Sequence, residues 1–138
     1  MTTLHTIAAK LVKLLEEHFD TVRITTVQTS EQMLLELDAI NPGKLPAVLI
    51  VFDRFALTDG GVMRESSLTL VLIDRFTAQS SERALSVFEA LERLFGLFPP
   101  HGRELADGVR VYPADCAAAS PARDYACLAL GITVKQGI

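Results

Sequence analysis

The chain has no tryptophan, two cysteines and three histidines. Neither cysteine belongs to a CxxC pair, the spacing typical of structural zinc sites. His5 and His18 fall on one predicted helix, about 20 Å apart along its axis, so they cannot bind the same metal ion. From these shortages we predict no metal, no cofactor and no catalytic site.

Long apolar runs are also missing. The longest, Ala47–Phe52 and Ala126–Leu130, are far shorter than the ~20 residues that span a bilayer. The first residues lack the basic start, apolar centre and small-residue cleavage site of a secretory signal. We therefore expect no membrane association, synthesis in the cytoplasm and reduced cysteines.

Basic residues are few and scattered: 13 lysines and arginines stand against 17 aspartates and glutamates, giving a net charge of −4. Nucleic-acid binders need a basic patch to neutralise phosphates, so we expect no specific nucleic-acid binding. Apolar residues, in contrast, make up 49% of the chain, and mean hydropathy is +0.30. A single small domain buries such a surplus with difficulty, which predicts burial between copies of the chain.

Apolar spacing predicts the order of secondary structure. Apolar residues recurring every three or four positions predict three helices: Thr3–Phe19, Thr29–Ile40 and Ser80–Leu97. Runs of β-branched and apolar residues predict five strands: Thr21–Val27, Leu45–Phe55, Ser67–Ile73, Val109–Tyr112 and Arg123–Lys135. The order α-β-α-β-β-α-β-β predicts one α+β domain over residues 1–138, with the helices packed on a mixed, mainly antiparallel sheet of about five strands.

Two elements carry predictions about their faces. The third helix is expected to pack through an apolar side that holds Ala84, Leu85, Phe88, Leu91, Leu94 and Phe95. The last strand is expected to place its larger side chains on one face: Leu128, Leu130, Ile132 and Val134. Its other face is kept small by residues such as Ala129 and Gly131, which let another backbone or helix approach closely.

A hairpin with a projecting loop is predicted between the second and third strands. Asp59-Gly60-Gly61 supplies the positive φ angles for the reversal, and the eight-residue segment Ala56–Met63 is longer than a turn needs. A phosphate-binding loop would lead from a strand into a helix with GxGxxG or GxxxxGK spacing, so we interpret this loop as a docking element. The candidate assembly contacts are Phe55, Leu57, Asp59, Gly60, Gly61, Val62, Met63 and Arg64.

Two further groups invite a chemical interpretation. His101, in a loop rich in proline and glycine, could use Glu104 or Asp107 as an orienting acid. No nucleophile motif accompanies it, so a solvated loop histidine is favoured. Cys116 and Cys127 flank a reversal and would face each other in a regular hairpin; we interpret them as buried small apolar residues.

Five features together cover nearly the whole chain: an N-terminal helix with Leu11, Leu14 and Leu15, the strand Leu45-Pro46-Ala47-Val48-Leu49-Ile50, its partner Ser67–Asp74, the helix Ser80–Leu97, and a last strand entered through Asp124-Tyr125-Ala126. In these features the chain resembles the tail terminator, or tail-completion, proteins of tailed bacteriophages, especially those of Mu-like phages and prophages. The shared pattern is one of element order and length.

The resemblance implies an α/β domain that assembles as a hexameric ring on the last ring of the tail tube, stops tube growth and joins the tail to the head. The implied partners are the tail tube protein and head–tail connector proteins. The implied location is the tail or neck of the virion, after assembly in the host cytoplasm, and the implied role requires no enzymatic activity. Two alternatives remain open: a small oligomeric ligand-binding or regulatory module with a split βαβ core, and a minor enzyme that uses His101.

Overall fold

The computed structural model describes residues 4–25, 30–40, 44–58, 63–75, 81–118 and 125–137. The helices are α1 (Leu4–Glu16), α2 (Ser30–Ala39) and α3 (Ser81–Leu97). The strands are β1 (Thr21–Thr25), β2 (Ala47–Thr58), β3 (Met63–Arg75), β4 (Arg103–Ala106), β5 (Val109–Ala118) and β6 (Tyr125–Gly137). None of the helices in these ranges has the length and apolar character that crossing a lipid bilayer requires.

The six described strands form one mixed sheet in the order β1-β2-β3-β6-β5-β4. β1 and β2 are parallel, which the crossover through α2 allows, while the other neighbouring pairs are antiparallel. Because α1 contacts both outer strands, β1 and β4, the sheet curls around it. The predicted α+β class and the mixed, mainly antiparallel sheet are confirmed, with six strands in place of about five.

The concave face of the sheet carries the main core, in which α1 and α3 pack on the strands. Leu11 and Leu15, one helical turn apart on α1, are completely buried there. The alternation predicted for β6 is confirmed, because three of its larger side chains face the same core: Leu130, Ile132 and Val134. Packing against the concave face therefore determines which sides of α1 and β6 are buried.

A smaller cluster lies on the convex face of the sheet. It consists of Ile40, Ala47, Leu49, Val71, Ile73 and Cys127. Ile40 directly follows α2, and Thr25 Oγ1 of β1 donates a hydrogen bond of 3.2 Å to Glu36 Oε1 of α2, so α2 lies over β1 on this face. Residues 47–50 of β2 and 70–73 of β3 are thus buried on both faces of the sheet, which explains their continuous apolar sequences.

α3 packs through a different side than the one predicted. Val87, Ala90 and Leu94 are buried, whereas Phe88 is 59% exposed and Phe95 is 41% exposed. The prediction that Leu94 lies on the packed side of α3 is confirmed, and the prediction that Phe88 and Phe95 lie there is wrong. The side chains of residues 84 and 85 lie outside the described part of the chain. The buried residues form a second apolar stripe at helical spacing, with small Ala90 at its centre, which lets the helix approach the sheet closely.

One strand was not predicted. Residues 103–106, expected to belong to a loop, form β4 and pair with the beginning of β5. Asp107 and Gly108 make the turn between the two strands, and Gly108 has a φ of 74°, a value that glycine adopts without strain. A two-residue turn ending in glycine is typical of a β-hairpin, so the signal for this strand was present in the sequence.

β5 is longer than predicted and irregular. It continues to Ala118, with a β-bulge between Pro113 and Cys116. As a result Cys116 pairs in register with Leu130 and does not face Cys127. The predicted juxtaposition of the two cysteines is therefore wrong: the bulge and the extra strand length shift the register.

Candidate assembly surface

The predicted docking loop is shorter than expected. β2 continues through Thr58, β3 begins at Met63, and these two residues pair with each other. Only residues 59–62 remain between the strands, so the expectation of an eight-residue projecting loop is wrong. The candidates Asp59, Gly60, Gly61 and Val62 lie outside the described residues.

The remaining candidate contacts lie within the β2–β3 ladder. Phe55 pairs in register with Ser66, and Leu57 pairs with Arg64. Arg64 is half-buried and donates a hydrogen bond from its guanidinium group to Oε1 of Gln136, a buried residue of β6. This hydrogen bond joins β3 to β6 within one chain.

The exposed apolar side chains mark a different surface. Among the described residues, the large exposed apolar side chains are those of Ile24, Leu35, Phe52, Phe88 and Phe95. Single exposed apolar residues are ordinary. Phe88 and Phe95, however, lie seven positions apart on α3, within about 20° of each other around the helix. With the half-buried Leu91 between them, they form a stripe that we call the α3 ridge.

The α3 ridge is bordered by charge. Glu89 and Glu92 are exposed on the outward side of the helix. Beyond them, the guanidinium carbon of Arg93 lies 5.4 Å from the ring centroid of Phe19, which follows α1. This cation–π contact attaches one flank of α3 to the α1 region. The ridge is on the other flank, so α1 does not cover it.

The histidine considered as a possible base lies on the surface. His101 is exposed in the turn before β4, and Glu104 and Asp107 are exposed as well. Within the described ranges, no group of three or more histidine, cysteine, aspartate or glutamate side chains is arranged to hold a metal ion. These exposed positions do not form an enclosed catalytic site.

The two cysteines differ in environment. Cys127 is buried in the convex cluster, as predicted, whereas Cys116 is exposed, contrary to the prediction. Partial desolvation, and secondarily the nearby negative charge of Asp115, raise the pKa of the Cys116 thiol. A raised pKa means less thiolate at neutral pH, which argues against Cys116 as a catalytic nucleophile.

Charged residues line depressions on the described part of the surface. A cleft of about 550 Å³ is lined by Glu16, Phe19, Asp20, Thr21, Val22, Arg23, Ala39, Ile40 and Lys44. A groove of about 240 Å³ between α1 and β4 is lined by Lys10, Lys13, Leu14, Glu17, Arg103, Glu104 and Leu105. Charged residues form a large part of both linings, unlike the mostly apolar lining of typical small-molecule sites.

No protein-family model matches the chain, and no curated protein matches it. Among the described residues, the α3 ridge is the surface feature that points most directly to a function. The sequence contained a signal for it: Val87, Ala90 and Leu94 give α3 a complete apolar side without the two phenylalanines. A helix with two apolar sides and one sheet to pack on leaves one side uncovered.

Proposed function

We propose that the chain is a structural virion protein that caps the tail tube of a bacteriophage as a closed ring of identical subunits, most simply a hexamer. The ring ends tail polymerisation and presents the surface that joins the tail to the head. Its partners are further copies of the chain, the tail tube protein and head–tail connector proteins. No catalytic step belongs to this role.

The α3 ridge is the observation that carries the proposal. Phe88 and Phe95 remain 59% and 41% exposed in the isolated chain. Aromatic side chains bury roughly 150–250 Å² each when covered, and they dominate the energetics of protein interfaces. A small domain whose apolar excess gathers on one helix gains stability when another subunit covers that helix.

The order and length of the elements supply the phage-specific part of the proposal. An N-terminal helix, a long central hairpin, a third helix and a long closing strand are the features in which the sequence resembles tail terminators. The charge of the chain also supports the proposal. A net charge of −4 without a basic stripe suits a protein that lies near DNA without binding it.

Deletion of the gene from its phage or prophage tests the function. We expect overlong tail tubes without attached heads in electron micrographs, and restoration of normal particles by the wild-type chain supplied in trans. Tails of normal length joined to heads in the deletion strain would contradict the proposal. A purified chain that forms only dimers and binds a small molecule would instead favour the ligand-binding module.

A further inference from the structure

Two strand edges of the sheet lack a partner strand among the described residues. Within the described ranges, β1 is the outer strand on one side and pairs with β2 alone. On the other side, β4 pairs with β5 only as far as Val111, so no described strand lies beyond the later part of β5. Unpaired edges present free N–H and C=O groups to another chain.

From these edges we infer that residues 21–23 of β1 in one subunit pair antiparallel with residues 115–117 of β5 in the next subunit, so that the sheets of the ring are joined edge to edge. This inference rests on the proposed ring and adds a second contact between subunits to the one at the α3 ridge. The two edges lie on opposite sides of one sheet, so the contact is head-to-tail, the kind that can close into a ring.

The strand directions and levels agree with this pairing. β1 is parallel to β2, and three successive antiparallel pairings lead from β2 to β5, so β1 and β5 run in opposite directions. Register places them at the same height: Thr21 connects through Ala47, Ile73 and Cys127 to the lower end of β6, where Leu128 pairs with Ala118. A neighbour in the same orientation therefore presents β1 to the uncovered part of β5.

The side chains match when Val22 is placed opposite Cys116, a register offset by two residues, roughly 7 Å, from Ala118, the residue of β5 at the height of Val22. Val22 packs against the concave core and Cys116 pairs with Leu130 of that core, so both belong to the concave face. One position along, Thr21 and Ala117 both belong to the convex face. At the next position, exposed Arg23, which already forms an ion pair of 3.6 Å with Glu36 of its own chain, would also lie opposite exposed Asp115.

A cleft beside β1 leaves room for the second strand, and Pro113 limits how far along β5 the pairing can extend. The cleft of about 550 Å³ is lined by Thr21, Val22 and Arg23 together with Phe19 of the concave core and Ile40 of the convex cluster, so it opens at the free edge of β1. Pro113 has no N–H to donate, which confines the pairing to the residues after it.

Disulfide trapping tests the inference, because Cys116 is native and exposed. Val22→Cys, oxidised in a thiol–disulfide buffer, is expected to give a ladder of covalent oligomers ending at the ring size. Cross-linking should be about tenfold faster than for Leu35→Cys, an exposed position on α2, because paired edges hold the thiols at high effective concentration. The ladder should vanish in V22C/C116S.

A second pair covers the case in which Val22→Cys weakens the core. In the C116S background, T21C/A117C should give the same ladder. A ring that forms without cross-links in either design overturns the edge pairing and leaves the proposed function standing. Dimers of V22C/C116S would show β1 pairing with β1 and overturn it too. A chain that is monomeric and uncross-linked at every concentration overturns both the pairing and the ring.

Discussion

Asp115 lies over Gly131 on the convex face of the sheet: a Cβ atom on Gly131 would come within 3.2 Å of Asp115 Oδ1 and 3.5 Å of the Asp115 backbone oxygen. The β-bulge between Pro113 and Cys116 brings the backbone of β5 to this position. The sequence predicted that small residues on this face of β6 admit another backbone. The structure identifies that backbone as the bulged part of β5.

Gly131→Leu should therefore destabilise the fold. A leucine side chain would have to displace the bulge, and overpacking of this kind costs about 1–3 kcal/mol in the free energy of unfolding. Urea denaturation followed by circular dichroism measures the change. Gly137→Leu, in the same strand with nothing within 4 Å of the added Cβ, is the matched control and should leave stability nearly unchanged. Equal stability of the two variants would show that the close approach is unimportant.

The packed side of α3 can be tested by comparing Leu94→Ala with Phe88→Ala. Leu94 is completely buried, so its truncation should cost about 2–5 kcal/mol. Phe88 is 59% exposed, and its truncation should change the free energy of unfolding of the monomer by no more than about 0.5 kcal/mol. Unfolding at low protein concentration, where subunit contacts do not contribute, gives both values. The reverse order would restore the side originally predicted from the sequence.

Gly102 and Gly108 form a second matched pair. Both have positive φ angles, 89° and 74°, so alanine at either position is strained, at an expected cost of roughly 1 kcal/mol. At Gly102 the added Cβ would also lie 2.6 Å from Cε1 of Tyr112, whereas at Gly108 nothing lies within 4 Å. Gly102→Ala should therefore lower the thermal midpoint more than Gly108→Ala. Equal losses would show that the tyrosine ring moves aside freely.

The reactivity of Cys116 should follow its raised pKa. Alkylation by iodoacetamide requires the thiolate, so its rate should reach half-maximum at a higher pH than for an unperturbed cysteine. Asp115→Asn removes the secondary cause and should move the midpoint to lower pH. Because the folded-state pKa lies above the unfolded-state value, this thiol favours the folded state less as pH rises through that interval. Peptide mass spectrometry follows Cys116 separately from buried Cys127; an unchanged midpoint in Asp115→Asn would exclude the carboxylate as a cause.

The elements with one strongly apolar face were predictable from the sequence. The spacing of Leu11 and Leu15 predicts α1, and the alternation from Leu130 to Val134 predicts β6, because burial against a single core enforces the helical or strand period. β4 was missed because four residues are too few to show a period. The end of β5 was missed because its alanines carry little strand preference.

The candidate surface was less predictable for a physical reason. α3 is apolar on two sides, and only the shape of the sheet decides that Ala90 faces inward while Phe88 stays outside. The hairpin tip was overestimated because Asp59-Gly60-Gly61 marks the reversal but not where pairing stops, and the ladder continues to Thr58 and Met63. Which strands lie at the edges of the sheet could not be predicted, because the order of the strands depends on pairing between residues far apart in the sequence.

The mass of the purified chain in solution tests ring assembly most directly. Light scattering over a range of concentrations should give a discrete species at a closed multiple of the 15.1 kDa subunit, roughly six times that mass for a hexamer. Phe88→Glu, which places a charge on the α3 ridge, should shift that species toward the monomer. A mass of 15.1 kDa at every concentration would contradict self-assembly of the chain.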